Sequence, residues 1–131
     1  MNSDPKTVVQ CFYDALNRGD VPALQTLFAD KISWTEAEGF PYYSGTWTTF
    51  GEVIEKLVIP LNRDWDGFSA KSHHMIAEGG EAVSLGAYSG TNKKTGKPLA
   101  APFAHHWTVS AGKITSFGMY TDTAKVLEAM R

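Results

Sequence analysis

The alternation in the last third of the chain constrains the fold most. In Pro102-Phe103-Ala104-His105-His106-Trp107-Thr108-Val109, larger and smaller side chains trade places along the run. Successive side chains on a strand point to opposite faces. Phe103, His105, Trp107 and Val109 therefore share one face, and Ala104, His106 and Thr108 the other. The first set is larger and more apolar, so it belongs inside. Ala111-Gly112 supplies a tight turn. A returning strand then carries Phe117, Met119 and Thr121 on one face and Ser116, Gly118 and Tyr120 on the other. The result is a long β-hairpin with a histidine and large aromatics along its buried side.

From about Phe68 onward the chain reads as β, with Gly79-Gly80 joining two strands and a longer polar turn over 92–96. Gly86, Gly90 and Gly118 are the expected kinks of a curved sheet. The first half is helical. Asp4 is the expected N-cap and Pro5 the first helical residue; Val8, Val9, Phe12, Ala15 and Leu16 recur at helical spacing, and Gly19 closes the helix. Asp20 caps a second, short helix whose apolar side is Ala23, Leu24, Leu27 and Phe28. A short strand over 31–35 follows, then a stretch over 36–46 that reads as loop, with a short strand as the alternative within it. Thr49-Phe50-Gly51-Glu52 has the form of a capping box opening a third helix, with Val53, Ile54, Leu57 and Val58 buried; Pro60 is expected to end it. Asp122 or Thr123 caps a last helix carrying Ala124, Val126, Leu127 and Met130. Helices first, then an antiparallel meander, is an α+β pattern.

Composition excludes several classes. A chain of 131 residues is expected to form one domain, 1–131. Its net charge is −2 with scattered Lys and Arg, which leaves no concentrated basic patch for nucleic acid. No stretch is apolar enough to span a bilayer, and Met1-Asn2-Ser3-Asp4-Pro5 lacks the form of a secretory signal, so a cytoplasmic protein without a membrane partner is expected. The single cysteine, Cys11, has no partner for an intrachain disulfide and is read as buried packing beside Phe12, since no basic neighbour would activate it. His73-His74 and His105-His106 are strand neighbours, so each pair offers at most one metal ligand per side. No HExxH, Cys-x-x-Cys, Gly-x-Ser-x-Gly or phosphate-binding glycine loop occurs. No metal and no cofactor are assigned. Lys93-Lys94-Thr95-Gly96-Lys97 is a solvated hairpin tip.

The helical opening Phe12-Tyr13-Asp14-Ala15-Leu16-Asn17-Arg18-Gly19-Asp20, taken with the hairpin, resembles the nuclear-transport-factor-2-like superfamily, in its SnoaL-like polyketide-cyclase and ketosteroid-isomerase branch. The resemblance covers nearly the whole chain. It implies a cone-shaped α+β barrel. In it a strongly curved, mixed or antiparallel sheet carries three N-terminal helices on its concave face and a short C-terminal helix. The cone holds a deep, mostly apolar pocket, and its convex face often forms a homodimer. In ketosteroid isomerases a carboxylate base follows the first strand, and a helix-one Tyr and a protonated strand Asp form the oxyanion hole. Aligned on Gly19-Asp20 and Phe28-Ala29-Asp30, the resemblance puts Glu36 at the base position. Phe12 falls at the Tyr position with Tyr13 beside it, roughly a hundred degrees round the helix, and His105 falls at the Asp position. The cyclases use an Asp on the last strand; here Phe117-Gly118-Met119-Tyr120 has no acid, and Asp122 lies beyond it.

The expected catalytic residues are therefore Glu36, His105 and Tyr13. The expected ligand-binding residues are Phe12, Trp34, Tyr42, Phe103, Trp107, Phe117, Met119 and Tyr120. Two functions stand side by side. One is a cofactor-free isomerase or cyclase in which Glu36 abstracts a proton alpha to a carbonyl and His105 donates to the oxygen. The other is a non-catalytic hydrophobic-ligand-binding or dimeric interaction module. The expected partner is a small hydrophobic molecule, polyketide-, steroid- or terpenoid-like, with a second copy on the convex sheet face. Against these stand plainer readings: Glu36 as a solvated loop carboxylate beside Glu38, His105 as a satisfied core histidine, and most of the aromatics as packing. An epoxide hydrolase of the limonene type would need several carboxylates and an Arg that the pocket-side strands do not supply.

Overall fold

The computed structural model describes residues 4–131. Helix α1 (Pro5–Asn17) has Pro5 in its first turn and Asp4 in extended conformation at the N-cap. It ends because Gly19 adopts φ +70°, open to a residue without a Cβ. Gly19 N–H then bonds Leu16 O at 3.1 Å and Asp20 N–H bonds Ala15 O at 2.9 Å, which satisfies the last carbonyls in a Schellman arrangement. Asp20 turns directly into the next cap: its carboxylate accepts from Ala23 N at 3.1 Å and starts α2 (Val21–Gln25).

Strand β1 (Phe28–Thr35) begins three residues earlier than the sequence pattern indicates, because it pairs in parallel with the far end of the chain. After β2 (Thr46–Trp47) come α3 (Phe50–Val53), a π-helical turn (Ile54–Val58) and α4 (Ile59–Asp64). Thr49 accepts from Glu52 N at 3.2 Å, while the Glu52 carboxylate reaches back one residue further than a capping box requires, to Thr48 N at 3.0 Å. Pro60 does not end this helix. The wide turn routes Ile59 N–H to Ile54 O, five residues back. The turn thereby opens the position where the proline ring would strike a carbonyl, and Pro60 falls in the first turn of α4, where a missing N–H costs nothing.

The remaining strands are β3 (Trp65–Glu78), β4 (Glu81–Asn92), β5 (Pro98–Ser110) and β6 (Lys113–Thr121), followed by α5 (Thr123–Ala129). β3 starts at Trp65 rather than Phe68, and Asp122 caps α5 by accepting from Lys125 N at 3.2 Å. The sheet order is β2-β1-β6-β5-β4-β3, antiparallel throughout except for β1 beside β6. The expected α+β order and mixed curved sheet are found.

Curvature comes from register shifts between Asp66 and Ser69, between Ser72 and His74, and between Thr108 and Val109. Of the expected kinks, Gly86 has the strongest packing reason. A Cβ there would lie 2.0 Å from Lys71 O and 2.7 Å from the Phe103 ring. Helix α1 packs across β3 to β6, α3 against β1 and α4 against β3, so the helices cover the concave face, while α5 rests on β5. The hairpin alternation holds in the structure: Phe103, His105, Trp107 and Val109 are buried with Phe117 and Met119. Cys11, expected in the packing, is exposed, because the buried stripe of α1 runs through Val8, Val9, Phe12, Tyr13 and Ala15.

Candidate active site

Period-two alternation brings the first functional side chain inward. Ile32, Trp34 and, just past the end of β1, Glu36 point to the same side; Glu36 is only 5 % exposed, whereas Glu38 is in solvent. The loop after it is held at two points, Gly39 and Tyr42. A Cβ on Gly39 would sit 2.8 Å from Thr123 Oγ1 of α5, and Tyr42 donates to Asp64 Oδ2 at 2.7 Å while accepting from Trp65 Nε1 at 3.1 Å. The Trp34 indole N–H donates to Glu36 Oε2 at 2.9 Å. Glu36 lines a cavity, and no fully buried side-chain oxygen or nitrogen among the described residues lacks a partner, so its second oxygen opens to that cavity. Burial pushes the carboxyl up to about 8, with the Trp34 hydrogen bond working in the opposite direction.

The second group is built on β5, β4 and α1. His105 Nδ1 lies 2.6 Å from Tyr13 Oη, and its Nε2 lies 2.6 Å from Tyr88 Oη. Tyr13 Oη also bonds Ser84 Oγ, which accepts from Trp107 Nε1 at 3.2 Å. The imidazole lies flat on the Phe103 ring, with centroids 3.8 Å apart and planes 7° from parallel. Burial holds His105 well below its ordinary 6.5, so it is neutral at physiological pH. Burial also raises both tyrosines above their ordinary 10, and for Tyr88 the charge of Glu36 adds to the effect.

These two groups meet at a cavity of about 150 Å³. Its apolar walls come from Phe12 and Leu16 of α1, from Phe50, Val53 and Leu57 on the third helix, and from Trp34 and Phe117, stacked on one another at 3.9 Å. Glu36, Tyr88 and His105 supply polar groups in the wall, and the exposed Asn62 lies at the rim. A void of this size seats a single aromatic ring.

Of the residues singled out from the sequence, Glu36, His105, Phe12, Trp34 and Phe117 line this cavity. Tyr13 does not; it is buried behind His105 and touches the imidazole. Phe103, Trp107 and Met119 lie deeper, in the core under the cavity floor. Tyr42 is a tether between the loop and α4, and Tyr120, 63 % exposed, stands on the outer face. Asp122 is occupied as the α5 cap. Among the described residues no three His, Cys, Asp or Glu side chains come together as a metal-binding group, and no helix is long and apolar enough to cross a membrane. Sequence reasoning missed Tyr88 and Ser84. The signal was present as the alternation Ala82, Ser84, Gly86, Tyr88, but the rival set Val83, Leu85, Ala87 is more apolar and points outward.

Residues 9–117 match the SnoaL-like domain family, and the chain belongs to it. An NTF2-like protein from Burkholderia thailandensis E264 is 37 % identical, with a TM-score of 0.94 over 100 % of this chain and 99 % of that one. TerC, crystallised with polyporic acid, superposes with a TM-score of 0.85 at 19 % identity over 96 % and 97 % of the two chains. IdmH from Streptomyces antibioticus, a candidate polyketide cyclase, gives 0.82 at 16 % identity over 96 % and 97 %. Among curated proteins nothing matches the chain.

Proposed function

We propose that the protein is a cofactor-free isomerase or cyclase that abstracts a proton alpha to a carbonyl in a small apolar ligand, with Glu36 as the base. The observation that carries this is the Glu36 carboxyl: buried, held through one oxygen by the Trp34 indole, and open through the other to an apolar cavity that also holds Tyr88 and His105. A base raised to about 8 has the proton affinity that carbon acids demand and still ionises in the physiological range. The α C–H bond breaks toward Glu36 and its electron pair enters the new C=C bond. The carbonyl π pair moves to oxygen, facing the polar end of the cavity. Return of the proton to a different carbon isomerises the ligand; attack of the enolate carbon on a second carbonyl closes a ring, that carbonyl's π pair moving to its oxygen, which takes the proton from Glu36. The cavity seats one ring, so the rest of a polyketide-, steroid- or terpenoid-like molecule would lie along the rim at Val58, Leu61 and Asn62. Deuterium uptake from heavy water at the α carbon of acetophenone tests the reading. The protein should accelerate exchange, and Glu36→Gln should lose about 10²- to 10⁴-fold of that acceleration with little change in affinity; a variant as fast as the parent refutes it.

A binding-only role has one observation in its favour. At neutral pH a carboxyl raised to about 8 is mostly protonated and donates to a ligand oxygen without taking a proton. A ligand that raises the melting temperature and is recovered unchanged, with no α exchange, would establish that reading instead. We also propose a homodimer through the outer sheet face, supported by a cross-strand row of His74, Leu85, Ala104 and Tyr120 that leaves Leu85 and Tyr120 exposed.

A further inference from the structure

We infer that the hydroxyl of Tyr88 is the donor that meets a ligand's carbonyl oxygen, and that His105 is a positioning residue acting through it. The assignment follows from where the protons in the buried chain must go. Trp107 Nε1 only donates, so Ser84 Oγ accepts from it. Ser84 is 0 % exposed and its one other partner among the described residues is Tyr13 Oη, so Tyr13 is the acceptor those residues offer the Ser84 proton. Tyr13, having accepted, sends its own proton to His105 Nδ1. Neutral imidazole accepts at one nitrogen and donates at the other, so His105 carries its proton on Nε2 and donates to Tyr88 Oη. Ser84, Tyr13, His105 and Tyr88 each bring one proton, and the bonds between them use all but that of Tyr88.

Tyr88 lines the cavity beside Glu36, and among the described residues its hydroxyl hydrogen has no acceptor. The opposite polarity would leave the spare hydrogen on Ser84, sealed from any partner, and a buried unsatisfied donor is the costly arrangement. With Ser84 setting the direction, the spare hydrogen lies where a ligand can use it.

The inference rests on the proton-abstraction reading for its catalytic meaning and deepens it. When Glu36 takes the α proton, the Tyr88 O–H strengthens its hydrogen bond to the oxygen that gathers charge and keeps its proton. It has no reason to yield that proton, because burial opposes the phenolate.

The tautomer needs no ligand to be observed. In protein with isotope-labelled histidine nitrogens, long-range proton–nitrogen NMR should show His105, identified by its loss in His105→Gln, protonated at Nε2 and bare at Nδ1 at neutral pH. Protonation at Nδ1, or at both nitrogens at neutral pH, overturns the inference. Ser84→Ala should turn the single tautomer into a mixture; a tautomer unchanged in that variant overturns the polarity argument. The donor itself is read by the infrared carbonyl band of bound acetophenone. Replacing Tyr88 with a fluorinated, more acidic tyrosine should lower the band further than in the parent, while the same replacement at the exposed Tyr43 leaves it in place. A band indifferent to fluorination at Tyr88 refutes the donor role. Failure of the underlying reading looks different: Glu36→Gln would keep full exchange activity while the His105 tautomer and the acetophenone band remained as expected.

Discussion

Glu36 and His105 are ionisable groups that folding drives to their neutral forms, and each leaves a mark on the pH dependence of stability. The Glu36 carboxyl rises from its ordinary 4.5 to about 8. Between those values the unfolded chain has released a proton that the folded chain keeps, so stability falls as pH rises through the window. The full difference amounts to at most about 5 kcal/mol by pH 8. Glu36→Gln should therefore unfold at a higher temperature than the parent at pH 8 and show little advantage at pH 4.5. Melting curves at the two pH values check this, and an advantage of equal size at both would contradict it. His105 works on the acid side. Its folded value lies well below 6.5, so the unfolded chain binds the proton first and stability falls as pH drops below 6.5. His105→Gln, though less stable near neutrality for the loss of its tyrosine bonds, should lose less stability than the parent between pH 6.5 and pH 5; parallel pH profiles would be evidence against a buried neutral imidazole.

Among the elements, β4 decides most about the site and was the least legible in sequence. Its more apolar alternate set faces outward, and its inner set is Ala82, Ser84, Gly86 and Tyr88. The inversion has a physical cause: the inner positions serve a hydrogen-bonded chain and a close approach rather than an oily face. Gly86 lets Phe103 lie flat on His105 and lets β3 bend around it. Gly86→Ala would press a methyl into a backbone carbonyl that cannot retreat, and should cost about 1–3 kcal/mol or more in urea unfolding; a cost within experimental error would mean the bend is not fixed there. The third helix shows a similar lesson. Its cap and buried stripe were readable, but its length was not. Whether a proline ends a helix depends on the turn before it, and the π turn over Ile54–Val58 admits Pro60.

For the whole molecule, the curved sheet separates two surfaces with different duties. The concave side holds the cavity, and the convex side exposes Ile76, Leu85 and Tyr120. If two copies pair there, Leu85→Lys should convert a dimer to a monomer in sedimentation velocity without altering the cavity; a dimer that persists through this change, or a parent that sediments as a monomer, would remove the proposed interface.

The sequence by itself determined whatever depends on neighbours along the chain. The helix cap at Asp20 was readable in this way, as were a last cap at Asp122 or Thr123, the turns at Gly79-Gly80 and Ala111-Gly112 and the inward face of Phe103, His105 and Trp107. Strand periodicity and capping are local physics; the inward side shared by Trp34 and Glu36 was not read this way, because the expected strand stopped at residue 35 and only the resemblance singled out Glu36. Tertiary structure alone decided what meets across long separations. It brought Tyr13 on a helix, Ser84 and Tyr88 on one strand and His105 on another to a single imidazole, and laid β1 parallel to β6. It also left Tyr42, Trp107 and Tyr120 out of the cavity wall. Hydrophobic patterning says which side of a strand is buried. Only the packed sheet, through its bulges and register, says which buried side chain borders empty space and which lies behind it.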